Sequence, residues 1–419
     1  MTILIRKAII ALPGSTFNGQ QKDILIADGI IAKVGGNITE KADTIIERDG
    51  LRVSPGWVDI FAHFCDPGYE FKETLQTGAK AAAAGGYTHV FVLPNTNPVV
   101  HSKSQVEYIK EKSRSLPVNI HPLGAVSKNA EGKDLAEMYD MFGSGAIAFS
   151  DGINAVQSAG VLLKALQYVK AFEGVLVQIP QDKSIGTHGL MNEGIVSTRL
   201  GLPGQPVIAE EMMVARDIEL VEYTASKLHF TGISSKRSVD HIKKAREKGL
   251  QVSCSVTPHH LFFSDEDLVD YDTNLKVNPP LRTPVNRQAL REAINRGDID
   301  IIASHHFPQE WDSKTCEFEY AGYGMIGLET AFGVAGAAGI DAERWVELCS
   351  INPRKIFGLP AATLLEGHPA DLTLFNPGVS YRFEETQILS KSKNSPFTGK
   401  QLKGRVIGII NGEKVFLNT

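Results

Sequence analysis

The feature that most constrains the fold is an alternation of short apolar, β-rich runs with helical stretches through the middle of the chain. Eight runs stand out: WVDIFAHF, THVFVLPNT, NIHPLGAV, AIAFSDG, VLVQIPQD, LHFTGISS, VSCSVTPHH and IDIIASHHFP. Between them lie helical patterns such as KETLQTGAKAAAAGG, an Ala-rich helix stopped by Gly85-Gly86, whose permissive backbone suits a C-terminal cap. Strand, helix and strand in repetition imply a parallel sheet, because a parallel neighbour is reached only through a crossover. Units of this kind repeated over about 300 residues predict a closed (β/α)8 barrel. The competing open doubly wound sheet lacks its signal, since no glycine-rich dinucleotide turn follows any of the runs.

The two ends of the chain are different in style. TILIRKAII and KDILIADGIIAKVGG near the start, and ADLTLFNP and RVIGIINGEKVFL near the end, alternate β-rich runs with turns at Asp28-Gly29 and Asn411-Gly412, both hairpin signals. The predicted fold class is therefore α/β: a (β/α)8 TIM barrel over residues 54–361, with a small β-sandwich domain formed from both termini, residues 1–53 and 362–419.

Charge and cysteine usage narrow the function classes. A net charge of −5 without a long run of either sign favours neither nucleic acid nor an anionic membrane as partner. Four cysteines without CxxC spacing predict free thiols in a reducing compartment. No apolar stretch approaches the roughly 20 residues that span a bilayer, and no signal peptide opens the chain, so a cytoplasmic location is expected.

In a barrel the chemistry gathers at the C-terminal ends of the strands, and here nearly every strand ends in a polar residue. Strand one delivers His63 and Cys65, strand two Asn95, strand four Asp151, and strand five Gln178 and Asp182. His229 follows on strand six, His259 and His260 on strand seven, and His305 and His306 on strand eight. Each has a plain structural explanation: His63 as a bonded core histidine, Asp151 as a helix cap, Asn95 as an Asx turn before Pro98. Within each histidine pair, alternation along a strand would let at most one ring face the interior. So many polar strand ends together still predict a site.

At these residues the chain resembles the dihydroorotases of the amidohydrolase superfamily, beside the allantoinases and hydantoinases. The resemblance is carried in order by SPGWVD, DPGYEFKETLQTGAKAAAAGGYTHVFVLPNTNP, AFSDG, GLMNEG with GLPGQP, VTPHHL, LKVNPPLR, GLETAFG and SKSKNSPFTGK. It implies a metal-dependent barrel that interconverts carbamoyl aspartate and dihydroorotate in pyrimidine synthesis. A metal such as zinc would supply the hydroxide and polarise the amide, held by histidines and carboxylates.

Matched residue by residue, the family pattern is depleted here. The strand-one motif Asp-x-His-x-His-x-Arg reads Asp59, Phe61, His63, Cys65, so one metal histidine and the carboxylate-binding arginine are replaced. Asp151 matches the branch of the family that bridges with aspartate. The strand-five histidine matches Gln178, the second strand-six histidine Gly232, the strand-eight aspartate that acts as general base His305, and a following histidine Gln309. Retained are His63 and Asp151 as metal ligands, and Asn95, Asn278, Tyr323 and Gly324 beside the substrate.

Phe61 and Gly232 offer no donor atom, and cysteine cannot reproduce the bidentate fork of arginine. The expectation is a non-catalytic dihydroorotase-like protein without a working metal centre and with no cofactor, in an assembly or regulatory role. The resemblance implies a homodimer and, for degenerate members, aspartate carbamoyltransferase as partner. A second arrangement keeps an active cyclic amidohydrolase, with zinc held by His63, Asp151, His305 and either His306 or His260, and with Cys65 as a soft ligand. A third is a metal-free binder of a small molecule.

Overall fold

The computed structural model describes residues 1–418. Eight parallel strands form the central sheet: Trp57–Ala62, Tyr87–Val92, Asn119–Gly124, Ala148–Phe149, Val175–Gln178, Lys227–Phe230, Val252–Val256 and Ile301–Ile302. They pair in chain order, and the ring is closed where Ala62 bridges His306 and the His63 N–H donates to the His306 carbonyl at 2.8 Å. Asp59 fastens the same seam, its carboxylate accepting from the Ser304 backbone N–H at 2.6 Å and from the Ser304 hydroxyl at 2.9 Å. The fold is the expected (β/α)8 barrel.

Helices cover the outside, and their ends follow the expected chemistry. Leu75–Ala84 starts behind Thr74, whose side chain accepts from the Thr77 N–H, and ends at Gly85 and Gly86. Gly86 sits at φ +88°, a conformation open to glycine without steric cost. Interior-facing residues alternate along the strands as the pleat requires: Val58, Phe91, Leu123, Ala148, Val175, Val177 and Ile301 fill the barrel above Phe357.

The termini build one mixed sheet in which Thr2–Ile10, Gln21–Ala27, Ile30–Gly35, Thr44–Ile46 and Arg52–Pro55 join Asp371–Arg382, Gln401–Asn411 and Lys414–Leu417. This is the β-sandwich expected from the two ends. Asp28 and Gly29, both at positive φ, close the first hairpin between Ala27 and Ile30. The last hairpin closes between Asn411 and Lys414, so its loop is Gly412 and Glu413, one residue beyond Asn411-Gly412. Trp57 joins the two layers. Its buried ring packs on Phe332, Trp345 and Phe375, and its indole N–H donates to Ser54 at 3.0 Å.

Two strand predictions are corrected. The run VSCSVTPHH is strand only to Val256, after which Pro258–Phe262 is a short helix capped by Thr257. Likewise IDIIASHHFP is regular only at Ile301–Ile302. A proline at the first helical position, with a threonine cap before it, is a helix start. Period-two alternation therefore does not decide where His259 and His260 point.

Candidate site at the strand ends

The C-terminal ends of strands one, four, five, six and eight meet in a packed cluster. At its centre the Phe61 ring, fully buried, lies on the imidazole of His305 with centroids 4.5 Å apart and planes 30° apart. Phe307 closes over both, 6.1 Å from each centroid. His305 is aimed inward by a backbone at φ +45°, a region that costs a non-glycine residue about 1–2 kcal/mol. Its Nε2 bonds the Thr231 hydroxyl at 2.8 Å, which in turn accepts from Ser255 at 2.8 Å. Burial pushes the His305 pKa down to about 3, so the ring is neutral.

Gly232 makes this arrangement possible. It sits at φ +72°, and a Cβ there would fall 2.7 Å from His305 Cε1. A side chain at this position and the His305 ring exclude one another.

The two retained ligands are both engaged elsewhere. His63 Nε2 faces the Asn95 carbonyl at 3.0 Å and Nδ1 faces Cys65 Sγ at 2.7 Å. The carbonyl can only accept and the thiol is a donor, so both ring nitrogens are used. Burial lowers the His63 pKa to about 4. The Asp151 carboxylate accepts from the Ser127 N–H at 2.9 Å and the Ser127 hydroxyl at 2.5 Å. Its pKa is raised, burial outweighing those bonds. Cys65, at φ +59°, is 1 % exposed and its thiol is pushed up by burial.

One assignment is corrected. Gln178 does not face the cluster: its amide bonds Val156 and, at 3.3 Å, the Asp217 carboxylate on the outer helix Ile208–Thr224. The interior side chain at this strand end is Ile179, which packs in the same cluster as Phe61.

The remaining residues divide. Asn95 is not an Asx turn but a cross-strand tie, donating to the Asp151 carbonyl at 3.0 Å and accepting from the Ile153 N–H at 3.0 Å. Asn278 donates to Gln181 at 2.7 Å while its own Oδ1 is buried without a partner. Gln309 straps the mouth, accepting from Lys72 at 2.8 Å and donating to the Tyr323 carbonyl at 2.7 Å. Gly324 is fixed beside them by its N–H to Lys276 at 2.8 Å, at φ +116° where a Cβ would strike Phe307.

His260 spends both nitrogens, on Thr257 at 2.7 Å and the Pro280 carbonyl at 3.2 Å. His306 turns away from the cluster, its Nδ1 accepting from Gly327 at 3.2 Å and its Nε2 lying 3.6 Å from Glu73. Burial raises the Glu73 carboxyl, but His306, Ser390 and Thr77 outweigh it and hold it below the ordinary range. His229 points into the barrel onto Ser253 and Phe357, and Asp182 only closes a turn on Ser184. Sequence reasoning missed Thr231 and Ile179. Counting in twos from His229 and from Val177 would have found both.

Catalytic zinc needs three protein donors on one point and a free position for water. Among the described residues no group of three or more His, Cys, Asp or Glu is placed to hold a metal ion. The donor set does not fit zinc, and His63, Asp151, His305 and His260 do not converge on one point.

A closed parallel barrel joined to a two-ended sheet, with its candidate site at the strand ends, is the architecture of the hydantoinase type. Solved structures agree: an L-hydantoinase from Arthrobacter aurescens superposes with a TM-score of 0.87 at 23% identity, covering 99% of this chain and 96% of that one. A D-hydantoinase gives 0.86 at 20%, covering 100% and 95%. At that identity the likeness concerns the fold.

Sequence comparison gives the family. Residues 50–238 match the dihydro-orotase-like family model. A dihydroorotase of Pelotomaculum thermopropionicum is 40% identical over 403 residues, 95% of this chain and 94% of the relative. One from Syntrophus aciditrophicus is 38% identical over 426 residues, 99% of each. The chain belongs to the dihydroorotase family. No helix among the described residues is long and apolar enough to cross a membrane.

Proposed function

We propose that this chain is a non-catalytic member of the dihydroorotase family, serving pyrimidine biosynthesis in an assembly or regulatory role. The observation that carries the reading is the Phe61 ring packed on His305, with Gly232 beneath it. Apolar and neutral groups stand where a metal and its hydroxide would be needed. Loss of a single supporting residue at a metal site costs about 10- to 100-fold in affinity or activity, and here the losses coincide at Phe61, Gln178, Gly232 and His305. The pathway assignment is supported by the curated relatives named dihydroorotase. In the specific version, the chain forms a homodimer and binds aspartate carbamoyltransferase in the cytoplasm.

Interconversion of carbamoyl aspartate and dihydroorotate is to be assayed in both directions with added zinc. The expected rate equals that of buffer. A metal-dependent rate abolished by His63→Ala overturns the reading in favour of a cyclic amidohydrolase with a rearranged centre. Sedimentation of the chain mixed with aspartate carbamoyltransferase tests the assembly role: co-migration is expected, and separate boundaries reject that partner.

A further inference from the structure

Away from the strand ends, an open cleft of about 550 Å³ lies between the helix Ala331–Ala337 and the strands Asp371–Arg382 and Gln401–Asn411. Its walls include Phe332, Tyr381, Phe383 and Phe416, and two charged residues, Glu329 and Arg405, line it as well. Glu329 uses one oxygen, Oε1, to accept from the Leu389 and Ser390 backbone N–H groups at 2.6 and 3.0 Å. Its Oε2 has no hydrogen-bonding or ionic partner among the described residues.

Arg405 likewise forms no ion pair among the described residues, its guanidinium resting 5.9 Å from the Tyr381 ring centroid. The Tyr381 hydroxyl has no partner either, and it occupies the space beside Gly333, where a Cβ would approach it to 2.8 Å. An acid and a base that share one aromatic-walled cleft without pairing to each other match a ligand carrying both charges. The aromatic walls supply the apolar surface that makes burial of such a ligand favourable.

We propose that this cleft binds an α-amino acid with an apolar side chain, its ammonium on Glu329 and its carboxylate on Arg405. An ammonium at Oε2 would supply the donor that the carboxyl lacks. Burial raises the Glu329 carboxyl above its ordinary range, outweighing His306 and the two backbone N–H groups, with the Glu73 carboxylate adding to the rise, and a bound cation opposes that shift. Arg405 would meet the ligand carboxylate with a planar fork. The cleft also reaches the start of the helix Leu75–Ala84: Ser390, held by Glu329 through its N–H, bonds Glu73 through its hydroxyl.

The test titrates L-phenylalanine, phenylacetate and phenethylamine into the full chain by calorimetry. L-phenylalanine should bind at millimolar concentration or below. Each analogue, lacking one charge, should bind at least about tenfold more weakly, the scale of one hydrogen bond to a charged group. Glu329→Gln keeps the acceptor for Leu389 and Ser390, so the fold is retained. It should weaken L-phenylalanine about tenfold and leave phenylacetate unchanged. Arg405→Ala should weaken L-phenylalanine and leave phenethylamine unchanged. No binding of L-phenylalanine at millimolar concentration, or binding indifferent to both substitutions, overturns the proposal.

Discussion

At the N-terminal end of the barrel, His89 and His121 stack with centroids 5.2 Å apart and share a hydrogen bond of 2.9 Å. His89 Nε2 then meets Asp371 at 3.1 Å, and Asp371 accepts from Arg354 at 2.6 Å. At the C-terminal end, His63 and His305 are just as buried but reach only neutral partners: a thiol, a carbonyl and a hydroxyl. One end keeps a chain of charge that ties strand two to the terminal sheet. The other has been packed as core. The difference separates histidines that keep an ionic partner, His89 on Asp371 and His306 beside Glu73, from His63 and His305, which have only neutral ones.

The comparison can be broken most severely at the packed end. Phe61→Ala removes a fully buried ring and should cost about 3–5 kcal/mol of unfolding free energy, as large-to-small core changes do. Phe61→His should cost about 1–3 kcal/mol, because a polar ring is set beside His305 without a partner. Urea denaturation measures both. The histidine variant should carry no stoichiometric zinc by elemental analysis, since Gln178 stays tied to Val156 and Asp217 and Gly232 still gives no donor. A full zinc complement in that single variant would mean that the packing is easily reversed.

At the charged end, Arg354→Met should cost about 3 kcal/mol by leaving Asp371 without its cation. Burial acts to raise the Asp371 carboxyl, but His89 and then Arg354 outweigh it and hold it well below the ordinary range. Combined with Phe61→Ala, the losses should add to within about 0.5 kcal/mol, since the two sites share no partner. A large deviation from additivity would show that the ends communicate.

Much of this was legible in the sequence. The eight apolar runs gave the barrel, and the Asp28-Gly29 turn gave the first hairpin, because both depend on local pattern. The replacements at Phe61 and Cys65 were legible from a motif of fixed spacing, and those at Gly232 and His305 from the matched runs of strands six and eight. What was not legible depended on direction. Gln178 and Ile179 are neighbours, and only the register of strand five against Phe230 decides which of them enters the barrel. The helix at Pro258–Phe262 and the left-handed backbone at His305 likewise turn histidines in ways that alternation cannot anticipate. The His89–Asp371 tie spans 282 positions, and no local signal marks it.

Buried histidines at both ends should make stability depend on pH, since His121 at the charged end is also held well below the ordinary range, by burial and then by His89. His63, His260 and His305 have folded pKa values pushed by burial to about 4, 4 and 3, against about 6.5 unfolded. The unfolded chain therefore takes up their protons first, and stability falls as pH drops from about 6.5 toward 4. Each such histidine contributes about 1.4 kcal/mol per pH unit to that slope. Asp371 works in another window: its depressed pKa gives stability that is present above the unfolded value of about 3.9 and lost only below it. His305→Phe should flatten the slope of unfolding free energy between pH 6 and 5 by about 1.4 kcal/mol per unit. An unchanged slope would mean that His305 is protonated in the folded chain and the mouth is wet.

The mildest test asks whether the strand-end cluster is as closed as true core, and it changes no residue. Cys65 lies at the mouth, whereas Cys254 and Cys349 lie among barrel strands and helices, yet all three are buried and all three thiols are raised by burial. Only Cys316, on the loop over the mouth, is partly exposed. Thiolate is the reactive form, and access to reagent is required as well. With a disulfide reagent at neutral pH, Cys316 should react first, and Cys65 should follow only as slowly as Cys254 and Cys349, at the rate of opening. Peptide mapping assigns each label. Fast labelling at Cys65 would place the thiol and its partner His63 within reach of solvent, and the two ends of the barrel would then differ in access as well as in charge.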